Sequence, residues 1–116
     1  MKHKIAKASL NRPADHRKAM VRNLLTSLFL YGKVQTTDAR ARALAGEADK
    51  LITLVRSKDA MNAVRELKRV IFTQESSEKA LAYITAQKER TSGYTRITKI
   101  GQRSGDNALV IQVELI

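Results

Sequence analysis

Apolar residues recur at helical spacing through residues 20–31. Met20, Val21, Leu24, Leu25, Leu28 and Tyr31 share one side of a 3.6-residue helix and are expected to form its buried face. Pro13 suits the first helical position, where a missing N–H costs nothing. Asn11 or Arg12 then sits at the cap, Asn11 being the chemically suitable residue. Asp15 suits the positive end of the helix dipole, and Gly32 is a natural stop. Lys18, Arg22 and Thr26 stack at i, i+4 and i+8 on the opposite arc, with His16, Asn23 and Ser27 along its other edge. Replacing Lys18 and Arg22 should therefore hardly affect stability.

Residues 33–36 make a short strand candidate containing the β-formers Val34 and Thr36. Thr37 is placed to cap a second helix with Ala41, Leu44, Ala48, Leu51, Ile52 and Val55 inward and Arg42, Asp49 and Arg56 on the far side. Asp59 can cap a third helix, with Ala60, Val64, Leu67 and Ile71 on one face. Ser76 or Ser77 can cap a fourth, with Ala80, Leu81 and Ile84 inward. The short link between them predicts antiparallel packing. Residues 90–93 break the helical pattern. Residues 94–100 are β-rich with poor alternation, which points to a bulge or an edge position. Ser104-Gly105-Asp106-Asn107 is turn chemistry. Beyond it Leu109, Ile111, Val113 and Leu115 alternate with Val110, Gln112 and Glu114, the clearest strand in the chain. The predicted fold is α+β: about four helices packed on a small sheet made of a C-terminal β-hairpin plus the short strand near Val34. Residues 1–10 lack periodicity and read as an extended basic tail, so 1–116 is expected to form a single domain.

Charge then narrows the function. The 116 residues hold 22 Lys and Arg against 11 Asp and Glu, a net charge of +11. Residues 1–33 carry eight of the cations and only Asp15 against them, a local balance of +7. Such an excess points to a polyanionic partner, above all a nucleic acid. Lys and Arg four apart on a helix face can reach successive backbone phosphates. Arg17, near the centre of the apolar arc, either snorkels past the core edge or meets a phosphate or base. Arg90, Tyr94, Arg96, Lys99 and Arg103 bring cations and one of five aromatics to the hairpin. Tyr94 is open between stacking on a base and a place in the core or rim.

Little supports catalysis. There is no Cys, hence no thiol nucleophile and no Cys-ligated metal. The only two histidines are His3 and His16. Asp15 and His16 are neighbours and point about 100° apart on a helix. No catalytic triad motif and no phosphate-cradling glycine loop is present. We therefore expect no enzyme activity, no cofactor, no metal and no small-molecule substrate. The apolar run at residues 24–30 is too short to span a bilayer, which takes about 20 residues, and no small-residue cleavage site follows it. No membrane association is expected, and the location expected by default is cytoplasmic. A duplex DNA binder and a helix lying in a membrane interface are the rival readings of the basic helix.

Short motifs sharpen the polyanion. The chain reads MKH at 1–3, LNR at 10–12, HRKAMVRNL at 16–24, TT at 36–37, LIT at 51–53, GYTRI at 93–97 and RSGDNA at 103–108. In this order and spacing they resemble the ribosomal protein L-seventeen family of the bacterial large subunit, over about residues 1–55 and 92–116. The resemblance implies a structural protein that binds large-subunit ribosomal RNA near the exit of the peptide tunnel, beside neighbouring ribosomal proteins, on an α+β fold. By position, its RNA-binding set falls on Lys2, His3, Lys4, Asn11, Arg12, His16, Arg17, Arg22, Asn23, Arg40, Arg42, Tyr94 and Arg96. The charge reading adds Lys7, Lys18, Lys99 and Arg103. The chain departs from the family pattern at Ile5-Ala6-Lys7-Ala8, usually more basic, and at Ala43, Ala45 and Gly46, where an acid and further basic residues are frequent.

Overall fold

A computed structural model describes residues 14–87 and 90–116. The tail at 1–10 and the expected cap and first position at Asn11 to Pro13 lie outside them. The order is α1 (Ala14–Tyr31), β1 (Lys33–Thr37), α2 (Asp38–Arg56), α3 (Ala60–Val70), α4 (Gln74–Ala86), β2 (Thr95–Gln102) and β3 (Leu109–Leu115). The strands form one antiparallel sheet in the order β1-β3-β2. The α+β reading, the hairpin and the extra strand are all present.

The alternating strand became the sheet's centre. In β3, Ile111 and Val113 are buried, and they pair with Thr36 and Val34 of β1 on one side. On the other side they pair with Lys99 and Ile97 of β2. The expected bulge lies between Lys99 and Gly101. Gly101 adopts φ +151° there, a conformation that a side chain would strain. Gly32 ends α1 at φ +81°. Its N–H donates to the Leu28 carbonyl at 2.7 Å, and its own carbonyl accepts from Leu115 N–H at 3.0 Å. One residue thus stops the helix and ties it to the central strand.

The core is centred on α2, which touches all six other elements. Ala41, Leu44, Ala48, Leu51, Ile52 and Val55 are buried as their spacing predicts. Ala41 and Ala48 keep that stripe narrow enough for close packing. Leu25, Leu28 and Phe29 of α1 pack against it. Tyr31, expected inside, is 72% exposed. It lies about 110° from the middle of the stripe set by Leu25, Leu28 and Phe29, at 100° per residue. In α3 the buried residues are Ala63 and Leu67, whereas Ala60 is exposed in the first turn. Asp59 caps α3 as expected, accepting from Asn62 N–H at 3.0 Å. The α4 cap is Thr73, not Ser76 or Ser77. Thr73 Oγ1 accepts from Ser76 N–H at 3.3 Å and donates to Ser76 Oγ at 2.8 Å. Both serines lie buried one turn inside. Thr37 holds the cap position of α2 without a side-chain cap bond.

The hairpin is fastened to the helices through Tyr94. It is fully buried, so it belongs to the core, and its ring cannot reach a base while the domain is folded. Its hydroxyl accepts from Arg56 Nη1 at 2.6 Å and donates to the Arg90 carbonyl at 2.8 Å. Arg56 Nη1 also donates to the Arg90 carbonyl. Tyr94 N–H donates to Asp49 Oδ1 at 3.3 Å, and its carbonyl accepts from Ile116 N–H at 3.0 Å. Asp49 and Arg56, expected on a solvated far side, therefore face the segment that leads into β2. Tyr83 of α4 completes the anchor, its hydroxyl lying 2.9 Å from the Ile116 carbonyl and 3.2 Å from that of Tyr94. Partial burial raises the Tyr83 phenol above its ordinary pKa, against the pull of the Arg90 cation. Tyr83 thus remains a neutral donor at physiological pH.

Tyr94→Phe keeps the ring and deletes the hydroxyl. It removes one hydrogen bond from the Arg56 guanidinium and one from the Arg90 carbonyl, which keep their bond to each other. The expected cost is about 1–3 kcal/mol, read as a lower urea midpoint with an unchanged m-value.

Candidate nucleic-acid interface

The basic arc of α1 divides along its length. At its start His16 and Lys18 are exposed, Arg17 is half-buried, and Asn23 is exposed a turn further on. The later part is covered. Arg22 Nε donates to the Val70 carbonyl at 2.9 Å, and its guanidinium lies 4.1 Å over the Phe72 ring. Thr26, expected on the outer arc, is buried. Its hydroxyl donates to the Arg22 carbonyl at 2.8 Å and accepts from Phe72 N–H at 3.1 Å. The reason is tertiary: the three-residue link between α3 and α4 crosses this face. Arg22 is therefore a structural residue as well as a cation, and the expectation that its loss leaves stability untouched is corrected.

Beside this link α1 and α2 part to form a groove of about 630 Å³. Its walls carry Arg17, Lys18 and Arg22 from α1 and Arg42 and Lys50 from α2, with Asp38 and Glu47 as the acids. Val21, Leu25, Val70, Ala39, Ala43 and Gly46 supply its apolar lining. Arg42 pairs with Asp38 at 3.1 Å and Lys50 with Glu47 at 3.8 Å. Four residues of the predicted set, Arg17, Lys18, Arg22 and Arg42, are brought together here. Lys50 was not among them. Its place at i+8 from Arg42 on one helix stripe is the signal that could have found it. Arg40 is half-buried in the first turn of α2.

The hairpin cations form a separate set, since α1 makes no contact with β2. Arg96 pairs with Glu114 across the strands at 3.6 Å. Lys99 is exposed and has no acidic partner among the described residues. Arg103 clasps Asp106 through Nη2 at 2.7 Å and Nε at 3.1 Å. Asp106 Oδ1 also accepts from Ala108 N–H at 3.1 Å. These bonds hold the Asp106 carboxyl below the usual range, the Arg103 side chain being the main cause, and hold Arg103 above its own. Arg103 is thus spent largely on shaping the turn, where Asn107 takes φ +56°. Lys2, His3, Lys4, Lys7, Asn11 and Arg12 lie outside the described residues. Among the described residues no group of His, Asp and Glu is arranged to hold a metal ion, and no helix is long and apolar enough to cross a membrane.

Fold and surface together define a small, strongly basic α+β domain with cations at the start of α1, on the α1–α2 groove and along the hairpin, and further exposed ones on α3 and α4. A family model described as Ribosomal protein L17 matches residues 20–116. The large ribosomal subunit protein bL17 of Desulforapulum autotrophicum is 42% identical, with 100% of this chain and 97% of the relative covered. Those of Clostridium botulinum and Clostridium perfringens are each 44% identical, over 92% of this chain and 95% of the relative. The chain belongs to the ribosomal protein L17 family.

Two outcomes follow from this geometry. Arg22→Ala should lose about 1–3 kcal/mol with its bond to Val70 and its ring contact, while Lys18→Ala stays within about 0.5 kcal/mol of the parent. Thermal unfolding of the two variants side by side checks this. For Asp106, the folded pKa lies below that of the unfolded chain. Its contribution is present above the ordinary carboxylate range and is lost as pH falls through the depressed value. A carboxyl NMR titration should find Asp106 low in the parent and restored toward the ordinary value in Arg103→Ala.

Proposed function

We propose that this chain is a structural constituent of the large ribosomal subunit. In this role it binds ribosomal RNA and supports translation in the cytoplasm without catalysing a reaction. Membership of the L17 family supports the assignment, together with relatives that are themselves named large-subunit proteins. The observation that carries the RNA reading is the +7 balance packed into residues 1–33, beside exposed His16, Lys18 and Asn23 at the start of α1. Cations on a folded frame neutralise phosphates and release counterions, and the frame fixes which phosphates they meet. Recognition of this kind reads RNA shape more than a base code. Lys2, His3, Lys4, Lys7, Asn11 and Arg12 would extend the same contact from the preceding chain, and Arg96 and Lys99 would supply a second one on the hairpin. Tyr94 is left out of the set because it is buried. In this reading the protein sits near the exit of the peptide tunnel with neighbouring ribosomal proteins as partners, as the family resemblance implies.

The protein should sediment with large subunits at moderate salt; recovery only in the free fraction defeats the proposal. Lys18→Ala should flatten the plot of log affinity against log salt by about 0.7–0.9 for one lost phosphate contact. An unchanged slope removes Lys18 from the interface.

A further inference from the structure

The α1–α2 groove combines features that a phosphate-tracking surface does not need. Its floor is apolar, from Val21, Leu25, Val70 and Ala43. Gly46 faces the groove with open space where a side chain would stand. A flat group can therefore lie directly on the helix backbone. The volume of about 630 Å³ lies within the range of roughly 300–1,000 Å³ typical of clefts that hold small ligands.

The charges on its walls are unequal. Arg42 and Lys50 on the α2 side are each matched by an acid, Asp38 and Glu47. On the α1 side, Arg17 and Lys18 have no acidic partner among the described residues. Arg22 lines the groove with a guanidinium whose plane is fixed by Val70 and Phe72. A fixed guanidinium plane is a surface on which an unstacked base settles, and unpaired cations beside it suit the phosphates on either side.

We infer that this groove takes an unpaired nucleotide of the bound RNA, its base on the floor by Gly46 and its flanking phosphates on Arg17 and Lys18. The inference rests on the RNA-binding reading above and adds to it the kind of RNA recognised: a single-stranded or bulged position, not a continuous duplex. Bases stacked inside an A-form helix cannot reach an apolar floor, so a duplex would engage the cations alone.

Filling the groove tests this without removing a charge. Gly46→Leu places a side chain in the open space and favours the helix; Gly46→Ala serves as the folded control. Affinities are measured by fluorescence anisotropy at several salt concentrations for a short oligoadenylate and for the same strand annealed to oligouridylate. Gly46→Leu should weaken single-strand binding about tenfold, the scale of one lost base-stacking contact. Its salt slope and its duplex affinity should match those of Gly46→Ala. If single-strand affinity is unchanged while the parent binds both probes, the groove holds something else, such as an acidic amphipathic helix of a protein neighbour, and the inference is overturned. Equal loss on both probes also overturns it. A parent protein that binds neither probe defeats the RNA reading itself.

Discussion

The hairpin has to be held against the helices by a segment that is neither helix nor strand, and Tyr94 is where that happens. Its ring is buried in the core, and its hydroxyl, N–H and carbonyl all find partners, on α2, on the Arg90 carbonyl and at the end of β3. Burying a phenol and two peptide groups without those partners would cost several kcal/mol. The segment can therefore dock only if Asp49 and Arg56 are in place. Both project from the helix that touches every other element. Gly32 fastens the same end of the sheet from the other side, linking α1 to Leu115 beside the Tyr94–Ile116 bond. With its C-terminal end held between α1 and the Tyr94 segment, β3 takes the central position, and β1 and β2 pair along its two edges.

This arrangement sorts the cations into two kinds. Arg56 and Arg22 hold the fold, the first at Tyr94 and the second at the link between α3 and α4. Lys79 donates to the Leu30 carbonyl at 3.1 Å, supplying the positive charge that the last turn of α1 lacks. Arg103 is occupied in its turn. Others, such as Lys18 and Lys99, are exposed without an acidic partner among the described residues. Exposed pairs such as Arg42 with Asp38 add little stability, so their acids serve to limit local repulsion more than to hold the chain together. The net charge of +11 therefore overstates what is free to meet a partner, and the identity of the free cations matters more than their number.

What was legible in the sequence was local. The stripe of α2 from Ala41 to Val55 and the alternation of β3 are periodic signals; the stripe is buried throughout, and in β3 Ile111 and Val113 are buried with Leu109 and Leu115 half-buried at the ends. The bulge and the turn at 104–107 were marked by residues whose backbone preferences announce them. What stayed hidden depends on segments meeting from far along the chain. Thr26 and Arg22 fit the outer arc by spacing, yet residues 70 and 72 cover them. Asp49 and Arg56 fit a solvated stripe until the segment at 90–94 folds onto it. Tyr94 lies in a family motif and could by type stack on a base, and its burial is what assigns it to the core. The groove was invisible for the same reason, since its walls belong to two helices and its edge to a third element.

Thr26, Arg22, Asp49 and Arg56 are polar residues whose spacing puts them on outer faces but whose hydrogen bonds lie inside the protein. In a basic chain this mismatch is systematic. An Arg on a helix face looks available to a phosphate, but its long stem and planar donor fork also suit it to bridging elements and capping carbonyls. Arg22 does both: it closes the packing over Thr26 while still lining the groove. Removing such a residue changes stability and binding together, so a loss of binding in its variant says nothing by itself about contact with RNA. The cations that report on the interface alone are those the fold does not use, and in α1 that distinction falls between Lys18 and Arg22, a single helical turn apart.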